Sequence, residues 1–301
     1  MSTTTVPCRL LCASRMAYMI SSNDTPVPVC PPYDGAAGFK EPPVGFVAGP
    51  LGINAAMVGT SADGVVLTFR GTLPPASPNH EQTILDWLND ADAVLISVPG
   101  IPGKVHQGFW NALDSLWPAL EAEVRQQRQA NPKANFYITG HSKGGAMADL
   151  AAARFALAGV SSTVYTYAAA HPGNREFANY YATQSAIQGS FRYEYADDIV
   201  PHLPPSLTFR QVLKDVPGFE KFHAELATRD QGDIDYAPVG TLRFINWQGE
   251  VVKDTPLLPL ERAYHLVDLI LHRQFEQIVK DHSIDCGGGY ATAICPTGVC
   301  S

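Results

Sequence analysis

Between Cys30 and Cys286 the chain has no cysteine. Its six are Cys8, Cys12 and Cys30 near the start and Cys286, Cys295 and Cys300 near the end. None of these makes a C-x2-C pair, which excludes the common zinc fingers and ribbons. The uneven distribution suits disulfides that tie both termini to the body in an oxidising compartment, with reduced buried thiols as the alternative. Charge is also sparse: 17% of residues are charged, and the formal net charge is −8. With no basic cluster, the usual footprint of a nucleic-acid binder is missing. No apolar run approaches the roughly 20 residues that a membrane-spanning helix needs, so an integral membrane protein is not expected. The first residues lack a basic region followed by a long apolar one, so no secretory signal peptide is read there. The terminal cysteines suggest secretion, and the plain N-terminus suggests a cytoplasmic place or non-classical export.

What the chain does have is 301 residues, 46% of them hydrophobic, enough to bury a sizeable core. No repeat or low-complexity segment interrupts it. Residues 24–50 are rich in Pro and Gly, and residues 1–50 are read as an irregular N-terminal arm. β-type runs follow at Val65–Phe69, Phe136–Ile138, Val164–Tyr167, Phe191–Tyr195 and Leu242–Trp247. Helical patterns cover Phe109–Gln129, Ala146–Leu157 and Leu257–Lys280. Strands separated by helices predict one α/β domain over 1–301, with a mostly parallel central sheet and helices on both faces.

The most informative segment is Ile138-Thr-Gly-His-Ser-Lys-Gly-Gly145. It contains Gly140-His141-Ser142-Lys143-Gly144, a G-x-S-x-G turn between a β-type and a helical run, which is the context of a nucleophile elbow. The competing reading is a glycine-rich helix start capped by Ser142. A serine hydroxyl is a weak nucleophile at neutral pH. It needs a base within hydrogen-bond reach, and that base needs an orienting carboxylate. In an α/β-hydrolase both follow the serine, acid first. Asp197 and Asp198 stand after the β-type run at 191–195, and spacing alone does not separate them. Two histidines lie far enough downstream to be the base. His265 sits inside the long helical pattern, whereas His282 sits where that pattern breaks. A base that must serve both nucleophile and leaving group belongs on a loop, which favours His282 and leaves His265 as the alternative.

At these residues the chain resembles the class 3 lipases, the group typified by the small filamentous-fungal triacylglycerol lipases. Asp198-Ile-Val-Pro-His-Leu-Pro-Pro205 is similar to their catalytic-aspartate motif, which implies Asp198 rather than Asp197. Thr68-Phe-Arg-Gly-Thr72 resembles their oxyanion strand and turn. Asp86-Trp87 with Asp90, Lys104-Val-His-Gln-Gly-Phe109 and the His-Pro-Gly-Asn174 stretch are similar to further segments, in order. Asp281-His282 ahead of Gly287 and Cys295 resembles the surroundings of the family's histidine. The resemblance implies an α/β-hydrolase fold, a triad of Ser142, Asp198 and His282, and an oxyanion hole from Thr72 and Lys143. It also implies an ester substrate, contact with a lipid interface, and no metal or cofactor.

One departure concerns the loop after Thr72. In the family a lid helix stands there. Here Leu73–Thr83 carries three prolines and only Leu73 and Ala76 as other apolar side chains. That composition predicts hydrolysis of soluble esters without an oil–water interface. The expected function is therefore a serine carboxylic-ester hydrolase, most simply a triacylglycerol lipase. An esterase for short or aromatic acyl groups is the enzymatic alternative, and an inactive lipid-binding hydrolase fold is the non-enzymatic one.

Overall fold

A computed structural model describes residues 4–73, 80, 83, 84, 94–213, 235–296 and 299. Most of Leu73–Thr83 and the Asp86-Trp87-Asp90 cluster lie outside the described residues.

The helices are α1 (Val6–Met16), α2 (Tyr33–Ala37), α3 (Gln107–Ala130), α4 (Lys143–Leu157), α5 (Arg175–Ala182), α6 (Leu207–Leu213), α7 (Leu258–Leu271), α8 (Phe275–Asp281) and α9 (Gly289–Ile294). The first seven strands are β1 (Thr25–Pro26), β2 (Val44–Ala48), β3 (Asn54–Thr60), β4 (Gly64–Phe69), β5 (Leu95–Val98), β6 (Ile101–His106) and β7 (Asn135–His141). They are followed by β8 (Ser162–Tyr167), β9 (Gly173–Asn174), β10 (Ile187–Tyr195), β11 (Tyr236–Ala237), β12 (Thr241–Ile245) and β13 (Val251–Val252).

One sheet has the order β1-β2-β3-β4-β7-β8-β10-β12-β13. Its central run β4-β7-β8-β10-β12 is parallel, and the strands at both edges are antiparallel. A smaller antiparallel sheet, β11-β9-β6-β5, stands apart. Strand periodicity explains the two cores. On β4, Val65, Leu67 and Phe69 face one core, and Val66 faces the other. On β3, Ala56 and Val58 divide from Ala55 and Met57 in the same way. The first core takes Leu113, Leu116, Trp117 and Leu120 of α3 with Met147, Leu150 and Phe155 of α4. The second takes Leu10, Leu11 and Met16 of α1. Burying each large apolar side chain contributes roughly 1.5–3 kcal/mol, so neither face of the sheet could be left bare.

Two expectations need correction. Residues 1–50 are not an irregular arm throughout: they hold α1, α2, β1 and β2. Pro and Gly crowd residues 24–50, but Val6–Met16 has Thr5 at its N-cap, proline in its first turn and a buried face at helical spacing. Ser14 Oγ reaches Thr139 Oγ1 of β7 at 3.1 Å, and Tyr167 Oη donates to Pro7 O at 2.5 Å, which fixes α1 across the sheet. The helix expected over Leu257–Lys280 is two helices. Arg273 takes a left-handed φ of 55°, and the chain turns there between α7 and α8. No helix among the described residues is long and apolar enough to cross a membrane.

Candidate active site

The site begins where β7 ends. Ser142 has φ 60° and ψ −130°, a backbone conformation that costs a non-glycine residue about 1–3 kcal/mol. The neighbouring glycines permit it. A Cβ on Gly140 would stand 2.2 Å from Gly144 O, and one on Gly144 would stand 2.4 Å from Phe69 O. Strand, turn and helix can therefore pass at backbone contact distance only with hydrogen at both positions. The strained turn lifts the Ser142 hydroxyl away from the sheet.

His282 follows the last residue of α8. Its Nε2 lies 3.0 Å from Ser142 Oγ, and its Nδ1 lies 3.0 and 3.1 Å from the two oxygens of Asp198. Asp198 is fully buried. Its Oδ1 accepts the Val200 N–H at 3.0 Å and its Oδ2 accepts the Tyr290 hydroxyl at 2.8 Å. Since a carboxylate only accepts, Nδ1 of His282 carries a proton and Nε2 is free to take one from Ser142. The structure thus brings Ser142, His282 and Asp198 into one hydrogen-bonded line. His265 is elsewhere, exposed on α7, with its ring stacked on Trp247 at 4.0 Å between centroids. Asp197 has a different partner: its Oδ2 accepts the Trp247 indole N–H at 2.8 Å.

Thr72 and Lys143 flank the serine. Gly71 packs on the elbow so closely that a Cβ there would stand 2.7 Å from His141 O. Arg70 anchors the same turn through bonds from Nη1 to Ile20 O at 2.9 Å and from Nη2 to Ile53 O at 3.2 Å. Lys143 opens α4, so its N–H stands at the N-terminal end of that helix, beside the Ser142 hydroxyl. Its side chain does not simply extend into solvent, because Nζ donates to Asn54 Oδ1 at 2.8 Å.

A cavity of about 560 Å³ lies over Ser142 and His282, with Thr72, Leu73 and His80 in its lining. Arg15 and Tyr18 form one wall and Ser283 to Asp285 another. Arg15 and Asp285 are ion-paired, which joins the walls.

Four further histidines, His106, His141, His171 and His202, have structural partners. His141 Nε2 meets the His282 carbonyl at 2.8 Å, and its Nδ1 meets the Tyr18 hydroxyl at 2.8 Å. A carbonyl can only accept, so Nε2 donates and Nδ1 accepts from Tyr18. Burial, reinforced by His282, holds the His141 pKa well below the ordinary value and keeps the ring neutral. Burial likewise lowers His106 and His171 to about 4. His202 stacks on Phe209 and accepts from Arg262. Tyr18 and Tyr290 were not singled out in the sequence. Neither belongs to a motif, and nothing local signals a partner 123 or 92 positions away.

Among the described residues, one group could offer three metal ligands: Cys8, Cys12 and Cys295. Cys8 and Cys295 are joined in a disulfide, which removes two of the three thiolates. Cys286 is also disulfide-bonded, and Cys12 and Cys30 are free and buried.

Residues 66–208 match the model of the family described as lipase (class 3). Over these residues, a little under half of the chain, the sequence is similar to the class 3 lipases. Outside comparisons agree with that segment. The chain is 40% identical over 101 residues to the secreted mono- and diacylglycerol lipase 1 of Fusarium solani, covering 34% of this chain and 30% of that protein. It is 32% identical over 154 residues to the lipase of Rhizomucor miehei, covering 49% and 39%. The aligned parts therefore span well under half of these relatives' lengths. A solved structure of the Rhizomucor miehei triacylglyceride lipase superposes with a TM-score of 0.57 at 22% identity, covering 80% of each chain. At that identity the likeness shows the shared α/β-hydrolase fold. The class 3 lipase segment contains Thr72, Ser142, Lys143 and Asp198, while His282 lies beyond it.

Proposed function

We propose that the chain is a serine carboxylic-ester hydrolase that acts on acylglycerols, with Ser142, His282 and Asp198 as its triad. The observation that carries this reading is the unbroken line from Ser142 Oγ through the His282 ring to Asp198. Its setting supports it: a strained elbow, a cavity above the serine, and a lipase-type segment around it.

Ser142 Oγ attacks the ester carbonyl while its proton passes to His282 Nε2. The negative charge that forms on the carbonyl oxygen meets the backbone N–H groups of Lys143 and Thr72, each such donor contributing about 2.7–4 kcal/mol. His282 then gives its proton to the departing alkoxide, which leaves as the free alcohol of a partial glyceride or glycerol. Water follows, loses a proton to His282, and attacks the acyl-enzyme. The fatty acid departs and Ser142 regains its proton. Asp198 stays ionised, fixing the tautomer and stabilising the imidazolium.

We also propose secretion, or passage through an oxidising compartment. Relatives carry secreted lipase names, and the Cys8–Cys295 disulfide requires oxidation to form. The substrate is an ester presented singly or at a lipid surface.

The decisive experiment is covalent labelling with an alkyl organophosphonate, followed by intact-mass measurement and by rates on a chain-length series of glycerol esters. One adduct on Ser142 is expected, together with loss of all hydrolysis. Ser142→Ala should lose label and on the order of 10⁶ in kcat. Label retained by that variant would place the nucleophile elsewhere.

A further inference from the structure

Two more carboxyl groups lie behind the triad, Asp197 and Asp281, 6% and 3% exposed. Asp281 ends α8 and is the chain neighbour of His282. Its Oδ2 accepts the Asp197 N–H at 3.2 Å, and its Oδ1 accepts from Gln277 Nε2 at 2.7 Å. One side chain therefore bridges the segment that carries Asp198 and the segment that carries His282. Asp197 is held on one side only. Its Oδ2 takes the Trp247 N–H, while its Oδ1 is buried without a hydrogen-bond partner.

We propose that Asp281 is a positioning residue for the Asp198–His282 pair, and that it ionises in competition with Asp197, so that the charge behind the imidazole changes with pH. The proposal rests on the hydrolase reading given above. The geometry explains why a proton is retained. Three carboxyl groups, Asp197, Asp198 and Asp281, are buried together, and like charges out of water resist ionising at once. Burial raises Asp281 first, and Asp197 and Asp198 raise it further against the bonds from Asp197 N–H and Gln277, to about 7. Burial also raises Asp197, against the bond from Trp247 and the attraction of His265 and Arg262. Tyr195 faces the same cluster and is pushed up by burial and by both carboxyls, so it adds no charge near neutrality. Arg262 is ion-paired to Glu194.

When Asp281 releases its proton to solvent, the cluster gains one negative charge next to His282. That charge favours the imidazolium formed as Ser142 attacks. Hydrolysis should therefore rise in two steps with pH, the second near neutrality.

The test is kcat and KM against pH for wild type, Asp281→Asn, Asp281→Glu and Trp247→Phe, with p-nitrophenyl butyrate read at its isosbestic wavelength. Asp281→Asn should lose the second step and run about three- to tenfold slower on the alkaline plateau, with KM unchanged. Asp281→Glu should restore the step. Trp247→Phe removes the bond that favours the Asp197 anion, so the step should move to higher pH. This variant keeps the test decisive if Asp281→Asn does not fold. A two-step profile that survives in Asp281→Asn, or a loss equal at every pH, would overturn the proposal, as would an unmoved step in Trp247→Phe. Ser142→Ala run alongside separates the two readings, because hydrolysis by that variant would instead strike the triad assignment.

Discussion

The two sides of the triad are held in opposite ways. Ser142 stands on a turn whose determinants lie within a few residues: Gly140, Gly144 and the start of α4. Asp198 and His282 are 84 residues apart and meet only because β10, α8 and α9 converge. The nucleophile side is rigid backbone packed on backbone, with no room for even one methyl group. The acid–base side is a set of side-chain hydrogen bonds, in which Asp198 alone engages His282, Tyr290 and Val200. Local strain positions the first, and long-range polar contact positions the second.

The strongest way to break the acid–base side is to remove its ring. His282→Ala should cost on the order of 10⁶ in kcat, as the loss of a triad base typically does. His265→Ala should leave kcat within about tenfold, since its ring stacks on Trp247 and makes no bond to Ser142 or Asp198. Steady-state rates on one soluble ester decide between them, and the reverse ranking would move the base to α7. Asp198→Asn comes next, with a fall of roughly 10⁴ in kcat, because an amide cannot hold the reactive tautomer. Asp197→Asn should fall by less than about tenfold, its oxygen still able to accept from Trp247. Equal losses would mean that Asp198 does not act alone on His282.

Breaking the elbow should read out as stability rather than as a selective loss of rate. Gly140→Ala must place a methyl 2.2 Å from a backbone oxygen. Overpacking of this kind costs about 1–3 kcal/mol or more, so a lower melting temperature and poor soluble yield are expected. Normal melting with normal activity would show that the elbow can yield.

The smallest effect sharpens the comparison from within α4. Asp149 is buried on that helix, and burial raises its pKa well above the ordinary value, against the bond from Tyr181. A carboxyl with a raised folded-state pKa is retained as the neutral acid, and it costs stability as pH climbs above its unfolded pKa. Asp149→Asn should therefore raise the melting temperature by a few degrees at pH 7–8, with the gain fading near pH 3. Calorimetry at both pH values checks this. A loss of stability at pH 7 would show that the ionised form is the one the fold requires.

This contrast also explains what was legible in the sequence. The elbow could be read because its cause is local: glycine spacing between a strand run and a helix run. Asp198 and His282 could be named because a motif and a break in helical pattern mark them. Tyr290, which pins Asp198, carries no such mark, since its partners are set by where α9 lands. The N-terminal arm was misread for a related reason. Its Pro and Gly content dominated the composition of residues 1–50, while the eleven residues of α1 declared themselves only by their cap and buried face. The break at Arg273 was missed because no proline or glycine stands there to announce a left-handed residue.

The Cys8–Cys295 bond gives the molecule a property that no single wall or triad member has. It closes a sequence separation of 287 residues, so the residues from Cys8 to Cys295 form one covalent ring. A protease cut in any surface loop inside that ring opens the chain without releasing a piece. Arg15 and Tyr18 arrive from one end of the sequence and Ser283 to Asp285 from the other, and both stay tethered around the same cavity after such a cut. A nicked molecule would remain one molecule, with its substrate chamber still bounded on both sides, until a reductant cleaves the closure.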